Sequence, residues 1–118
     1  MNKKLPELHP KGWGHELWIH NSELYCGKIL YFVEGKKCSW HYHLNKDEVF
    51  YVQRGTIQLF FSKNDDLELA DSVILDTGDS FHVIAGIRHQ MMAIRETELF
   101  EISTMHEESD TFRLKKGD

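Results

Sequence analysis

His41 and His43 stand two positions apart in a stretch of strand-forming residues that includes Cys38, Trp40 and Tyr42. Side chains alternate between the faces of a strand, so the two imidazoles point the same way. Five residues after His43, Glu48 opens another strand-like run that continues to Gln53. A tight turn through Asn45 and Lys46 would bring that carboxylate back beside the histidine pair. Two imidazoles and a carboxylate converging on one point are the raw material of a metal site.

Holding these groups together needs strands and sharp turns, and the sequence supplies both. Gly35 and Gly55 bracket the unit where hairpin turns require positive φ, a conformation glycine adopts without steric cost. Strand-like runs recur over 24–33, 49–52, 56–61, 67–75, 81–84, 89–94 and 97–103, with a polar loop over 62–66 and a turn over 76–79. Short strands at this spacing predict an all-β sandwich or barrel. No stretch carries a convincing helical period. Residues 1–11 are expected to form an extended arm, 24–104 the barrel core and 105–118 a polar tail, its last five residues frayed. Trp13 and Trp18 need a surface to cover, either the body of the fold or a second subunit.

The spacing Gly35-(5)-His41-x-His43-(4)-Glu48-(6)-Gly55 resembles the first signature of the cupin superfamily. Gly78-Asp79, Gly86 and His89 resemble the second, with Ile84 where a proline is usual and Ala93 where an asparagine is usual. The resemblance covers about residues 24 to 104. It implies a double-stranded β-helix, the jelly-roll cupin barrel, and adds His89 as a fourth ligand to His41, His43 and Glu48. Three nitrogens and one carboxylate suit one divalent transition metal (Mn, Fe, Co, Ni or Zn) far better than Ca or Mg. Structural zinc is usually closed and thiolate-rich. This thiol-free set implies an open, functional site.

The ends resemble the small cupin domain of type II mannose-6-phosphate isomerases, and equally the cupins attached to sugar-pathway enzymes. The residues concerned are Lys11-Gly-Trp-Gly14, the strand holding Lys28, Glu101-Ile-Ser-Thr104, and Asp110-Thr-Phe-Arg113. Gly12 replaces a proline of the isomerase pattern, and the spacing before Arg113 is shorter. The implied activity is isomerase or epimerase chemistry on a small sugar or sugar-phosphate-like substrate. The alternatives are a non-catalytic sugar-binding or partner module, and a non-haem iron dioxygenase.

Lys28, Glu101 and Arg113 are the candidates for substrate contact or catalysis. Lys28 interrupts an apolar strand, so it is either paired inside or at a strand edge. Glu101 could face the pocket or solvent. Arg88 and Gln90 flank His89 and are expected to face outward. His15, His20 and His82 are expected outside the site. No nucleophile elbow or phosphate loop is present.

Net charge is −5 and the fourteen basic residues are scattered, which argues against nucleic acid as a partner. No apolar run has the length of a membrane span, and the N-terminal residues lack a signal-peptide core. The expectation is a cytoplasmic protein with Cys26 and Cys38 as thiols. Strands 28–33 and 58–61 are apolar on both faces, which predicts a covered outer surface and a homodimer.

Overall fold

The computed structural model describes residues 1–118 as eleven strands and two short 3-10 turns, with no α-helix. One sheet holds six strands in the order β1 (Glu7–Lys11), β2 (Gly14–Asn21), β3 (Cys26–Phe32), β10 (Thr97–Ser103), β5 (Glu48–Arg54) and β8 (Ser80–Val83). The other holds five, in the order β11 (Phe112–Lys115), β4 (Trp40–Tyr42), β9 (Arg88–Ala93), β6 (Thr56–Ser62) and β7 (Asp71–Asp76). All named strand pairs are antiparallel. The all-β jelly roll expected from the sequence is therefore the observed fold. No helix is long and apolar enough to cross a membrane.

The interior between the sheets changes character along its length. On β3 the inward residues run Cys26, Lys28, Leu30, Phe32; on β10 they run Thr97, Leu99, Glu101, Ser103; on β5 they are Glu48, Phe50 and Val52. Antiparallel register sets Leu30 opposite Leu99, and Lys28 opposite Glu101. The same register puts Glu48 opposite Ser103. One half of the barrel is thus apolar, filled by Val52, Ile57, Leu59, Leu75, Ala93 and Leu99. The other half carries charge, because polar residues occupy inward positions of the same strands.

Several elements depart from the sequence expectation. Residues 7–11 of the arm form β1, which pairs with β2. Residues 67–69 form a 3-10 turn, with Asp66 accepting from the Glu68 amide at its start, so β7 begins only at Asp71. The C-terminus is not frayed. Asp118 donates its amide to the Lys37 carbonyl and accepts from the Lys37 amide through its side chain, both at 2.9 Å. Gly117 lies so close to the Cys38–Ser39 backbone that an added Cβ would collide with it. Trp13 is buried and stacked on Phe32 at 4.2 Å, as an aromatic seeking a surface should be.

Candidate metal centre

Strand β4 and its extension carry His41 and His43, β9 carries His89, and β5 opens on Glu48. His41 and His89 are direct cross-strand partners, so their rings meet with centroids 4.5 Å apart. The ligand atoms of His41, His43 and His89 all lie within 4.8 Å of one another, a grouping that could hold a metal ion. Glu48 Oε2 approaches His89 Nε2 to 2.9 Å and His43 Nε2 to 3.7 Å. The four residues singled out in the sequence are brought together.

Each imidazole is oriented from behind. Nδ1 of His41 meets the Ser39 carbonyl at 2.9 Å, Nδ1 of His43 the Asp110 carbonyl at 3.0 Å, and Nδ1 of His89 the Ile87 carbonyl at 3.0 Å. A carbonyl only accepts, so each Nδ1 carries the proton and donates it. In the neutral ring Nε2 is then a lone pair aimed at the common centre, the tautomer a metal ligand requires.

The residues fit a cation on a further count. His89 Nε2 and Glu48 Oε2 are sealed from solvent and have no hydrogen-bond partner despite their 2.9 Å separation. With the proton on Nδ1, His89 Nε2 has no hydrogen to give the carboxylate, so two acceptors face each other. Buried acceptors left without a donor are costly, and a cation among them answers both.

Burial and the neighbouring His89 and His43 rings hold His41 well below the usual imidazole range. Burial also lowers His43, partly offset by the Glu48 charge. In His89 burial pulls downward, but the adjacent Glu48 carboxylate outweighs it and the net shift is upward. Burial pushes Glu48 up, whereas His89, Lys46 and His43 together hold it well below the carboxylate range. Burial raises the Cys38 thiol to about 12, and both cysteines are free.

A cavity of ≈ 300 Å³ opens beside the four residues. Lys28, Lys46, Glu16, Glu101 and His106 line it, with Lys11, Arg113 and Lys116 also on its wall. Lys28 faces inward: it is 2 % exposed, lies 3.3 Å from Glu16 and sits over the Trp18 ring at 4.3 Å. Glu101 also faces inward and meets Lys46 Nζ at 2.7 Å, while Ser103 donates its hydroxyl to the same Glu101 oxygen at 3.0 Å. Arg113 pairs with exposed Glu108.

Lys46 and His106 carry no site signal in the sequence, where they fall in a turn and a polar tail. Lys46 is 3 % exposed and reaches Glu48 Oε1 at 3.3 Å and His106 Nδ1 at 2.9 Å. Lysine only donates, so His106 Nδ1 accepts and its Nε2 holds the proton. Burial and the Lys46 charge lower His106 to about 4, consistent with a neutral ring. No local pattern marks a buried lysine in a turn; only the tertiary approach of β10 and the tail does.

Gln90 corrects another expectation. It does not face solvent but is buried, donating to the Cys38 carbonyl at 2.9 Å, because the chain at 37–38 crosses over that face of β9. Arg88 is half-buried against the Tyr42 ring at 3.8 Å. His82 lies outside the site and pairs with Asp47 at 2.8 Å. His15 and His20 stack on Tyr31 and Tyr25, away from the ligand cluster.

Fold and site together define a small jelly-roll protein whose polar half could hold a metal. The cupin family's sequence profile matches residues 28–113, and the chain belongs to that family. No curated protein sequence matches it. Among solved structures it is similar to oxalate decarboxylase from Bacillus subtilis, with TM-score 0.80 and 16% identity over 92% of this chain and 30% of that one. CapF, a capsular polysaccharide assembling protein from Staphylococcus aureus, matches with TM-score 0.78 and 16% identity over 96% of this chain and 35% of that one. KdgF from Halomonas sp. matches with TM-score 0.69 and 14% identity over 80% and 81%. The chain thus spans about a third of the oxalate decarboxylase and CapF chains. Likeness at such identity carries the fold and not the substrate.

Proposed function

We propose that the chain is a metal-dependent enzyme of the isomerase or epimerase type, acting on a small sugar or sugar-phosphate-like substrate. One divalent transition metal would be held by His41, His43, Glu48 and His89. The observation that carries this reading is the orientation of three imidazoles by three backbone carbonyls, with two unpartnered buried acceptors at the centre. A metal bound there would polarise a carbonyl or hydroxyl pair of the ligand.

The chain's own residues supply the rest. Lys46 and Ser103 both address Glu101 Oε2, which leaves Oε1 to exchange a proton with a ligand in the cavity. Burial and the Glu48 charge raise Glu101 above the ordinary carboxylate value, against the pull of Lys46. A carboxyl moved in that direction is better matched to proton transfer near neutrality. His106 Nε2–H and Lys28 offer donors for hydroxyls or an anionic group, and Arg113 on the cavity wall can hold a phosphate or carboxylate. The resemblance of the chain's ends to mannose-6-phosphate isomerase cupins supports the sugar-phosphate choice.

A second reading is a non-catalytic module that holds a sugar-like ligand. It draws on the cavity lysines, each already compensated by a carboxylate, which suits a static pocket. The discriminating experiment titrates metal-loaded protein calorimetrically with mannose, glucose and fructose phosphates and the neutral sugars, and follows carbonyl–hydroxyl exchange by NMR. Phosphates should bind better than neutral sugars, and Lys28→Met should weaken them by about 1.5–3 kcal/mol, the scale of a charged hydrogen bond. Binding without exchange would favour the module. Oxygen consumption would point to iron dioxygenase chemistry, and equal binding of phosphates and neutral sugars would remove the anionic-substrate reading.

The outer face of the six-stranded sheet supports a homodimer. Ile102 is 62% exposed there, and Tyr51, 36% exposed, stacks on Phe100. Sedimentation velocity tests this: a monomer at micromolar concentration contradicts it.

A further inference from the structure

Two of the three imidazoles are oriented by carbonyls from their own neighbourhood. The Ser39 and Ile87 carbonyls each lie two residues from the histidine they hold. His43 differs. Its Nδ1–H is received by the carbonyl of Asp110, 67 positions later and outside the barrel strands.

Asp110 does more than that. It is 6% exposed and closes the 3-10 turn Glu108–Asp110. Its Oδ1 accepts from the amides of Leu44 at 2.9 Å and Asn45 at 3.1 Å. Its Oδ2 accepts from Asn45 at 3.2 Å and Lys46 at 3.0 Å. One residue therefore holds four consecutive positions, 43 to 46. The first is a candidate metal ligand and the last is the buried cation beside Glu48 and Glu101. Hydrogen bonds to an ionised acceptor are about twice as strong as neutral ones. Removing this acceptor would leave the amides of 44–46 without a partner.

We propose that Asp110 is a positioning residue of the metal centre: it sets the His43 ring through its backbone carbonyl and the 44–46 turn through its carboxylate. The site is then complete only when the tail is docked. The tail is fixed independently by the pairing of β11 with β4, by Phe112 on Tyr42, and by two hydrogen bonds between Asn21 and His106. Those contacts bring Asp110 to the turn, and its carboxylate converts docking into ligand geometry. The consequence for metal rests on the reading given above; the effect on the turn does not.

The test compares wild type with Asp110→Asn, Asp110→Ala and, as a control loosening the same tail, Phe112→Ala. Zn²⁺ affinity is measured by chelator competition, and site geometry by the Co²⁺ absorption spectrum. Amide hydrogen exchange at 44–46 and the His43 Nδ1–H NMR resonance give readouts without metal. Loss of an outer-shell partner typically costs ten- to a hundredfold in metal affinity. That range is expected for Asp110→Ala, with a smaller loss for Asp110→Asn, an altered Co²⁺ spectrum in both, and faster exchange at 44–46 while sheet amides stay protected. Phe112→Ala keeps the β11–β4 pairing, the Asn21–His106 bonds and the Asp110 carboxylate, so it should weaken Zn²⁺ less than Asp110→Ala does. Equal losses in Phe112→Ala and Asp110→Ala would overturn the proposal by reducing Asp110 to a general tail anchor. If wild type binds neither metal, the metal reading fails, and exchange decides: selective loss of protection at 44–46 in Asp110→Asn supports the positioning role, and unchanged protection overturns it.

Discussion

Lys46 Nζ lies 2.7 Å from Glu101 Oε2, and both side chains are almost sealed from solvent. Lys46 also reaches Glu48, so one ammonium separates two carboxylates that would otherwise repel across the cavity. Burial opposes its charge, but Glu101 and Glu48 outweigh burial and raise its pKa.

Lys46→Met should therefore destabilise the protein by about 3–5 kcal/mol, the cost of leaving a buried charge uncompensated. Glu101→Gln removes a charge but leaves Lys46 paired with Glu48, and should cost about 1–3 kcal/mol. Urea denaturation at neutral pH measures both. Equal midpoints for Lys46→Met and wild type would contradict the account.

Glu16 makes a pH prediction. Burial pushes its carboxyl up, yet Lys28 and the Trp18 indole N–H together bring it below the ordinary 4.5. A carboxyl lowered by folding contributes stability that is fully present above its unfolded value and lost as pH falls through its folded value. Glu16→Gln should therefore be less stable than wild type at pH 7, and the gap should narrow as pH drops below about 4.5. Denaturant midpoints at several pH values show this. A gap constant down to pH ~2.5 would mean that Glu16 gains nothing from Lys28.

The two halves of the barrel should respond separately to mutation. Leu99 is fully buried in the apolar half, so Leu99→Ala should cost about 2–5 kcal/mol through lost burial and a cavity. Metal stoichiometry should not change, because every candidate ligand lies in the polar half. Thermal melts and elemental analysis of one preparation test both statements together.

The sequence disclosed the elements that follow local rules. Alternation placed His41 with His43, and the turns at Gly35 and Gly55 fell where φ is +80° and +101°. At Gly55 a Cβ would also collide with the Glu96 carbonyl, so glycine there serves close approach as well as φ. What stayed hidden depends on contacts between distant segments. Lys46 reads as a solvated turn lysine until Glu101 and His106 arrive from β10 and the tail. Gln90 reads as an outward residue until the chain at 37–38 covers it. Asp110 reads as part of a tail motif, and only the fold shows its carboxylate on the 44–46 amides. For Lys28, a charge in an apolar strand fits an edge or an internal pair, and only the position of Glu16 on β2 decides.

His41, His43, Glu48 and His89 are proposed to form a metal centre. The most direct measurement is elemental analysis of untagged protein, wild type beside His43→Ala and His89→Ala, with circular dichroism on the same samples. About one equivalent of a transition metal is expected in wild type, with most of it lost in both variants while the β spectrum persists, because apolar burial holds the barrel. Equal metal content in all three proteins, or none in wild type after incubation with Mn²⁺, Fe²⁺, Co²⁺, Ni²⁺ and Zn²⁺, would contradict it.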